Sequence, residues 1–182
     1  MGARGCTILQ PLKSGGSKKS VIKVMAEEAR SVKGTVMLTL RGVKLANKDG
    51  FFGKSDPFFV LSKAREDGTF APCVKSEVVK NNLNPTWPVL RVPLQRLCNG
   101  DLNRPLRLEV IDWDDDDKFE PIGNLTVTTE ELLRPGWSGK LHHPRGKDKD
   151  VGTVSVVTSQ LVMEPSFMEC VPLWPFDVLH AH

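Results

Sequence analysis

Apolar residues in this chain recur at every second position, and no window longer than about ten residues sustains a helical period. In Gly34–Val43, residues Val36, Leu38 and Leu40 fall on one face of an extended chain, with Thr35, Thr39 and Arg41 on the other, as on a strand with one side against a core. The same alternation predicts strands over Pro57–Lys63, Ala71–Val79, Trp87–Pro93, Pro105–Asp112, Ile122–Thr128 and Val151–Val162. Turn-rich pieces separate them, among them Glu66-Asp67-Gly68, Asn81-Asn82-Leu83-Asn84-Pro85 and Asn99-Gly100-Asp101. Strands so short and so evenly spaced close as an antiparallel sandwich or barrel, so the chain is expected to be all-β. Its 40% hydrophobic and 26% charged residues suffice to fill a core.

Both flanks depart from this array. Residues 1–31 hold two short strand-like runs, Cys6–Gln10 and Val21–Met25, around a Lys/Ser/Gly hinge, too little chain to bury a core of its own. From Glu164 onward, Phe167, Trp174 and Phe176 lie among Pro165, Pro172 and Pro175 without any period, and an irregular tail is expected. No stretch approaches the ~20 consecutive apolar residues that span a bilayer. Cys6, Cys73, Cys98 and Cys170 lack zinc spacing, which leaves a reducing, cytoplasmic setting as the expectation. The formal net charge of +3 is too small for a face that neutralises many phosphates, so no nucleic acid is expected as a partner. No Gly-x-Ser-x-Gly or Walker sequence occurs and no suggestive Cys/His pair, so no enzyme is expected.

Two loops concentrate the chemistry. In Lys48-Asp49-Gly50-Phe51-Phe52-Gly53-Lys54-Ser55-Asp56-Pro57-Phe58, Asp49 and Asp56 bracket a loop and Pro57 opens the next strand. In the second, Leu106, Leu108 and Val110 alternate inward, and Asp112 and then Asp114 continue their phase past the strand end, into the run Asp114-Asp115-Asp116-Asp117. Residues 109–120 carry seven acids against Lys118, a net of −6, which leaves +9 on the rest of the chain. Carboxylates a few ångströms apart repel unless a cation neutralises them, and oxygen ligands in flexible loops select calcium over zinc, copper or magnesium. The plainer alternative is a solvated acidic loop. An EF-hand starting at Asp112 fails, because Asp117 stands where Gly is required and Gly123 where Glu is required. Asp112-Trp113-Asp114 also matches the Asp-x-Asp metal motif of sugar-nucleotide transferases, without the βαβ pattern that carries it.

Gly53-Lys54-Ser55-Asp56-Pro57-Phe58, Glu77-Val78-Val79-Lys80-Asn81-Asn82-Leu83-Asn84-Pro85-Thr86-Trp87, Leu97-Cys98-Asn99-Gly100-Asp101 and Val110-Ile111-Asp112-Trp113-Asp114 together resemble the second C2 domain of copines. The resemblance spans residues 33–163 and implies an eight-stranded antiparallel β-sandwich whose loops at one end bind calcium and then phospholipid. Residues 1–31 resemble the last strands of a preceding C2 domain plus a linker, while 164–182 resemble nothing in the family. Nor does the Asp-x-Ser-x-Ser motif of the copine von Willebrand A-like domain occur, so a chain cut at both ends is expected.

Carried over by position, the resemblance assigns Asp49 and Asp56 of the first loop and Asp112, Asp114 and Glu120 of the third to calcium, with Asp117 as an added ligand. Glu120 stands where the family usually has Asp, and Gly50 adds a residue between Asp49 and Asp56. Phe51, Phe52 and Phe119 are the residues placed to enter an anionic phospholipid membrane, with burial of Phe52 under its loop as the alternative. Trp87 and Trp113 read as core or loop-buttress residues. Lys75 and Lys80 read either as a polybasic lipid-binding face or as a solvated strand face. The expected behaviour is calcium-dependent, peripheral recruitment from the cytoplasm to the plasma membrane or other membranes. The second reading is a calcium-independent module that binds proteins.

Overall fold

The alternating segments pair into two four-stranded antiparallel sheets in the computed structural model, which describes residues 6–11, 21–26, 33–50, 53–114, 119–146 and 150–163. The chain divides into two units, Met1–Ser31 and Val32–His182. In the first, β1 (Cys6–Pro11) pairs antiparallel with β2 (Val21–Ala26), Cys6 opposite Ala26 and Pro11 opposite Val21.

The second unit is the sandwich. Strands β3 (Gly34–Val43), β4 (Pro57–Ala64), β5 (Phe70–Lys75), β6 (Leu90–Pro93), β7 (Pro105–Trp113), β8 (Phe119–Thr128), β9 (Ser138–Lys140) and β10 (Thr153–Met163) follow in chain order. One sheet runs β6-β3-β10-β9 and the other β5-β4-β7-β8. The expected all-β sandwich of eight strands is therefore present. Val36, Leu38 and Leu40 of β3 and Val154 of β10 join Phe59 and Leu61 of β4, and Leu106, Leu108 and Val110 of β7, in one buried cluster. Trp87, 1% exposed, fills the same core, its ring edge-on to Phe59 with centroids 4.9 Å apart. Its indole N–H donates to the Pro57 carbonyl at 3.1 Å, which satisfies the one polar group so large a side chain brings inside.

Several boundaries differ from the sequence expectation for identifiable reasons. The predicted Ala71–Val79 strand ends at Lys75, because the buried Ser76 hydroxyl accepts the Phe59 N–H at 2.8 Å and takes over the next rung. The strand predicted from Trp87 begins at Leu90. Pro88 supplies no N–H for a ladder, and Trp87 is committed to the core. The last strand starts at Thr153 rather than Val151, after Gly152 at φ +102°, where any Cβ would lie 2.7 Å from the Lys44 carbonyl oxygen. Strand β8 starts earlier than expected, at Phe119, so Phe119 and Glu120 belong to a strand end and not to a loop.

Two short helices also lie outside the period-two reading. Helix α1 (Leu94–Cys98) buries Leu94, Leu97 and Cys98 and stops at Asn99 in the left-handed region, φ 55°. Helix α2 (Thr129–Leu132) is started by a capping box. The Thr128 hydroxyl accepts the Glu131 N–H at 3.1 Å, and the Glu131 carboxylate accepts the Thr128 N–H at 2.8 Å. Thr128→Ala should lower the unfolding free energy by about 1 kcal/mol in urea titrations, with an unchanged denaturant slope. Among the described residues, no helix is long and apolar enough to cross a membrane.

Candidate functional site

The first and third loops spring from neighbouring strands. β4 and β7 pair with Pro57 opposite Asp112, and β7 and β8 with Asp112 opposite Glu120 and Trp113 opposite Phe119. Asp112 keeps the inward phase of Leu106, Leu108 and Val110 and is 1% exposed, although it is a carboxylate. Its Oδ1 accepts the Asp56 N–H at 2.6 Å, while its Oδ2 is buried with no hydrogen-bond partner. Desolvation pushes the Asp112 carboxyl above its ordinary range. Contacts with the Ser55 hydroxyl and the Asp56 amide pull the other way, and the charges of Asp49 and Asp114 add to the rise. A buried carboxylate oxygen without a donor is costly in an apolar interior and is the kind of atom a cation satisfies.

Asx and Ser contacts hold the first loop. Asn47 Oδ1 accepts the Ser55 N–H at 3.0 Å, and Asn47 Nδ2 donates to the Gly50 and Gly53 carbonyls at 2.7 and 2.9 Å. The buried Ser55 hydroxyl accepts the Lys48 N–H at 2.9 Å. Gly50 sits at φ +70° with open space around it, a left-handed backbone that glycine adopts without strain. Asp49 folds back over Gly53, where a Cβ would come within 3.4 Å of its Oδ2. Its carboxyl is pushed up, first by desolvation and then by the charges of Asp114, Asp56 and Glu120. Asp56 Oδ1 in turn accepts the Asn81 N–H at 2.6 Å.

Asp49, Asp56, Asp112, Asp114 and Glu120 thus gather at one end of one sheet. Asp117, Phe51 and Phe52 lie outside the described residues. Among the described residues, no three His, Cys, Asp or Glu side chains are close enough together to hold a metal ion. Two reasons are visible in the bonding. Backbone amides occupy one oxygen each of Asp56 and Asp112, and Glu120 is drawn to Lys48, with Oε1 to Nζ 2.9 Å. Sequence reasoning missed Lys48, Asn47 and Asn81. Asn residues flanking strand ends were the available signal, since their side chains bond nearby backbone.

Aromatic residues beside the carboxylates carry cations on their faces. Phe119 is 52% exposed and meets Phe58 edge-on at 5.8 Å between centroids. Lys75 Nζ lies 4.4 Å from the Phe58 ring centre and 5.6 Å from that of Phe119, and Lys80 Nζ lies 5.0 Å from that of Trp113. Both lysines are exposed, as on a solvated face, and each also lies over an aromatic ring. Trp87 is core and Trp113 half-buried. At the far end of β4 and β7, a groove of about 400 Å³ is lined by Lys63, Arg65 and Arg104 with Glu66, Asp67 and Asn99. One pole of the sheet is acidic, and the other sets three cations beside two carboxylates.

This arrangement of strands and loops has known counterparts. Residues 35–144 match the C2 domain family. The solved structure of BON1-C2B is 30% identical, with a TM-score of 0.62 over 72% of this chain and 94% of that one. A C2 domain of a plant extended synaptotagmin 1 shares the fold at 22% identity and a TM-score of 0.55, over 76% of this chain and 98% of that one. Two four-stranded antiparallel sheets, the family match over more than half of the 182 residues and the likeness to BON1-C2B lead to one conclusion: the chain belongs to the C2 domain family, whose members often bind calcium and phospholipids.

Proposed function

We propose that this chain is a copine-type C2 module that attaches peripherally to anionic phospholipid membranes in response to calcium, and that it is a binding module rather than an enzyme. The observation that carries this reading is Asp112, 1% exposed, with Oδ2 unpartnered among like charges. The 30% identity to the C2B domain of the copine BON1 supports the copine assignment. Asp49, Asp56, Asp112, Asp114 and Glu120 would hold the ion, with Asp117 as a further candidate ligand. Bound calcium would supply positive charge and open coordination positions for lipid phosphate or carboxylate oxygens. The chain's own residues do the rest. Without the ion, the acidic pole is repelled by an anionic leaflet. With the loops neutralised, Phe119 is free to sink its exposed half into the headgroup region beside Lys75, whose ammonium suits lipid phosphates.

Co-sedimentation of the full chain with phosphatidylserine-containing liposomes, in calcium and in chelator, tests the reading. Pelleting only in calcium is expected, and equal pelleting in both conditions would sink it. Phe119→Ala should weaken calcium-dependent binding by about three- to tenfold, since about half of a Phe side chain's ~1.5–3 kcal/mol transfer energy is at stake. The variant should leave the calcium affinity measured without lipid unchanged.

A calcium-independent protein-interaction module is the second reading, and the Lys48–Glu120 pair favours it by satisfying one carboxylate from within the chain. Retention of a protein partner in chelator, with no calorimetric response to calcium, would establish it over the first.

A further inference from the structure

The Lys48 side chain is only 16% exposed, against 56% for its partner Glu120, 72 residues away in sequence. Two restraints deliver it there: the Ser55 hydroxyl holds the Lys48 backbone N–H at 2.9 Å, and the Lys48 ammonium lies 2.9 Å from Glu120 Oε1. Glu120 is the register partner of Asp112 on β7, so two acidic residues face each other across the strand pair, an unfavourable arrangement on its own. The residue after Lys48 is Asp49, at the head of the first loop. A tethered positive charge is thereby held on Glu120, across the strand pair from Asp112.

We propose that the Lys48 ammonium is the chain's own counter-cation at the carboxylate site, holding the first loop against β8 when no divalent ion is present and setting the calcium concentration needed to displace it. This inference rests on the calcium reading above and deepens it. An exposed ion pair contributes little stability, and here its position matters more than its energy. An ammonium seated on a ligand oxygen repels a divalent ion bound by the same carboxylate. Calcium and the seated ammonium therefore compete for Glu120, and the four-carbon stem of Lys48 lets it swing out to solvent when it loses. Lys54, exposed in the same loop and with its backbone N–H on Asn81, serves as a charge control.

Calcium titration calorimetry on the full chain, without lipid, compares wild type with Lys48→Met, Lys48→Arg and Lys54→Met. Removing the competing ammonium should raise calcium affinity about three- to fivefold for Lys48→Met, the scale of giving up an exposed ion pair. Lys54→Met should move it by less than about twofold, because solvent and salt screen an exposed charge. Lys48→Arg should stay close to wild type. In chelator at low salt, Lys48→Met should melt below wild type, with the gap closing as salt is added. Equal calcium affinity for Lys48→Met and wild type, or equal shifts for both Met variants, overturns the inference and leaves the calcium reading intact. No calcium binding by wild type or any variant overturns both.

Discussion

Asp112→Asn should remove calcium binding by about a hundredfold or more while leaving the calcium-free protein at least as stable as wild type. Asparagine keeps an oxygen for the Asp56 N–H, so the 2.6 Å bond survives, and it removes a charge that is 1% exposed with one oxygen unpartnered. Burying an unpaired charge is costlier than burying an amide, so relief from that penalty offsets the poorer acceptor. In calcium the comparison reverses, because only the carboxylate offers charge to a divalent ion. Thermal melting in chelator and in calcium, with calorimetry alongside, measures both halves. A variant that still gains stability from calcium as wild type does would contradict the assignment.

The same substitution has a pH signature. The folded Asp112 carboxyl binds its proton more tightly than the unfolded one, whose ordinary value is 3.8. Between 3.8 and the raised folded value, the native state therefore carries the extra proton, and stability falls as pH rises through that window. Asp49 contributes with the same sign. In chelator, Asp112→Asn should flatten this part of the stability profile, leaving the slope due to Asp49.

Trp87→Ala should be the most destabilising single change in the sandwich. The ring is 1% exposed, packs edge-on against Phe59 at 4.9 Å and donates to Pro57. Large-to-small changes at such a site cost about 3–5 kcal/mol, and a loss of that size lowers Tm on the order of 10 °C in a unit of this length. Trp87→Phe keeps most of the volume and gives up the indole donor, so about 1–3 kcal/mol is expected. Urea unfolding followed by fluorescence of the remaining tryptophans measures both. Pro57 follows Asp56 directly, so Trp87→Ala should also weaken calcium binding at temperatures where the variant remains folded.

Period-two alternation carried most of the fold, because each inward residue of β3 and β7 is buried and a one-residue slip would invert the pattern. It failed where side chains replace the ladder, as at Ser76, or where the segment is too short for any period, as in β9 and the two helices. The capping box Thr128-x-x-Glu131 was readable in the sequence, and alternation over the preceding strand masked it. At the site, the strand phase of Leu106, Leu108 and Val110 located Asp112, and loop position located Asp49 and Asp56. Lys48 was invisible by the same reasoning. Its ion pair depends on the register that brings Glu120 to this end of the sheet, and register is a property of pairing between strands, not of local pattern.

Pro57 has no N–H to give, so the last rung between β4 and β7 is made differently: the Asp56 N–H turns to the Asp112 side chain, while the Trp113 N–H reaches the Asp56 carbonyl at 3.2 Å. The sheet is therefore closed at this end by a titratable carboxylate in place of a peptide carbonyl. Whatever engages Asp112 acts directly on the hem of the sheet, and fraying there becomes a report of occupancy. Solvent exchange at the Asp56 amide would register an ion arriving at the loops before any lipid is touched.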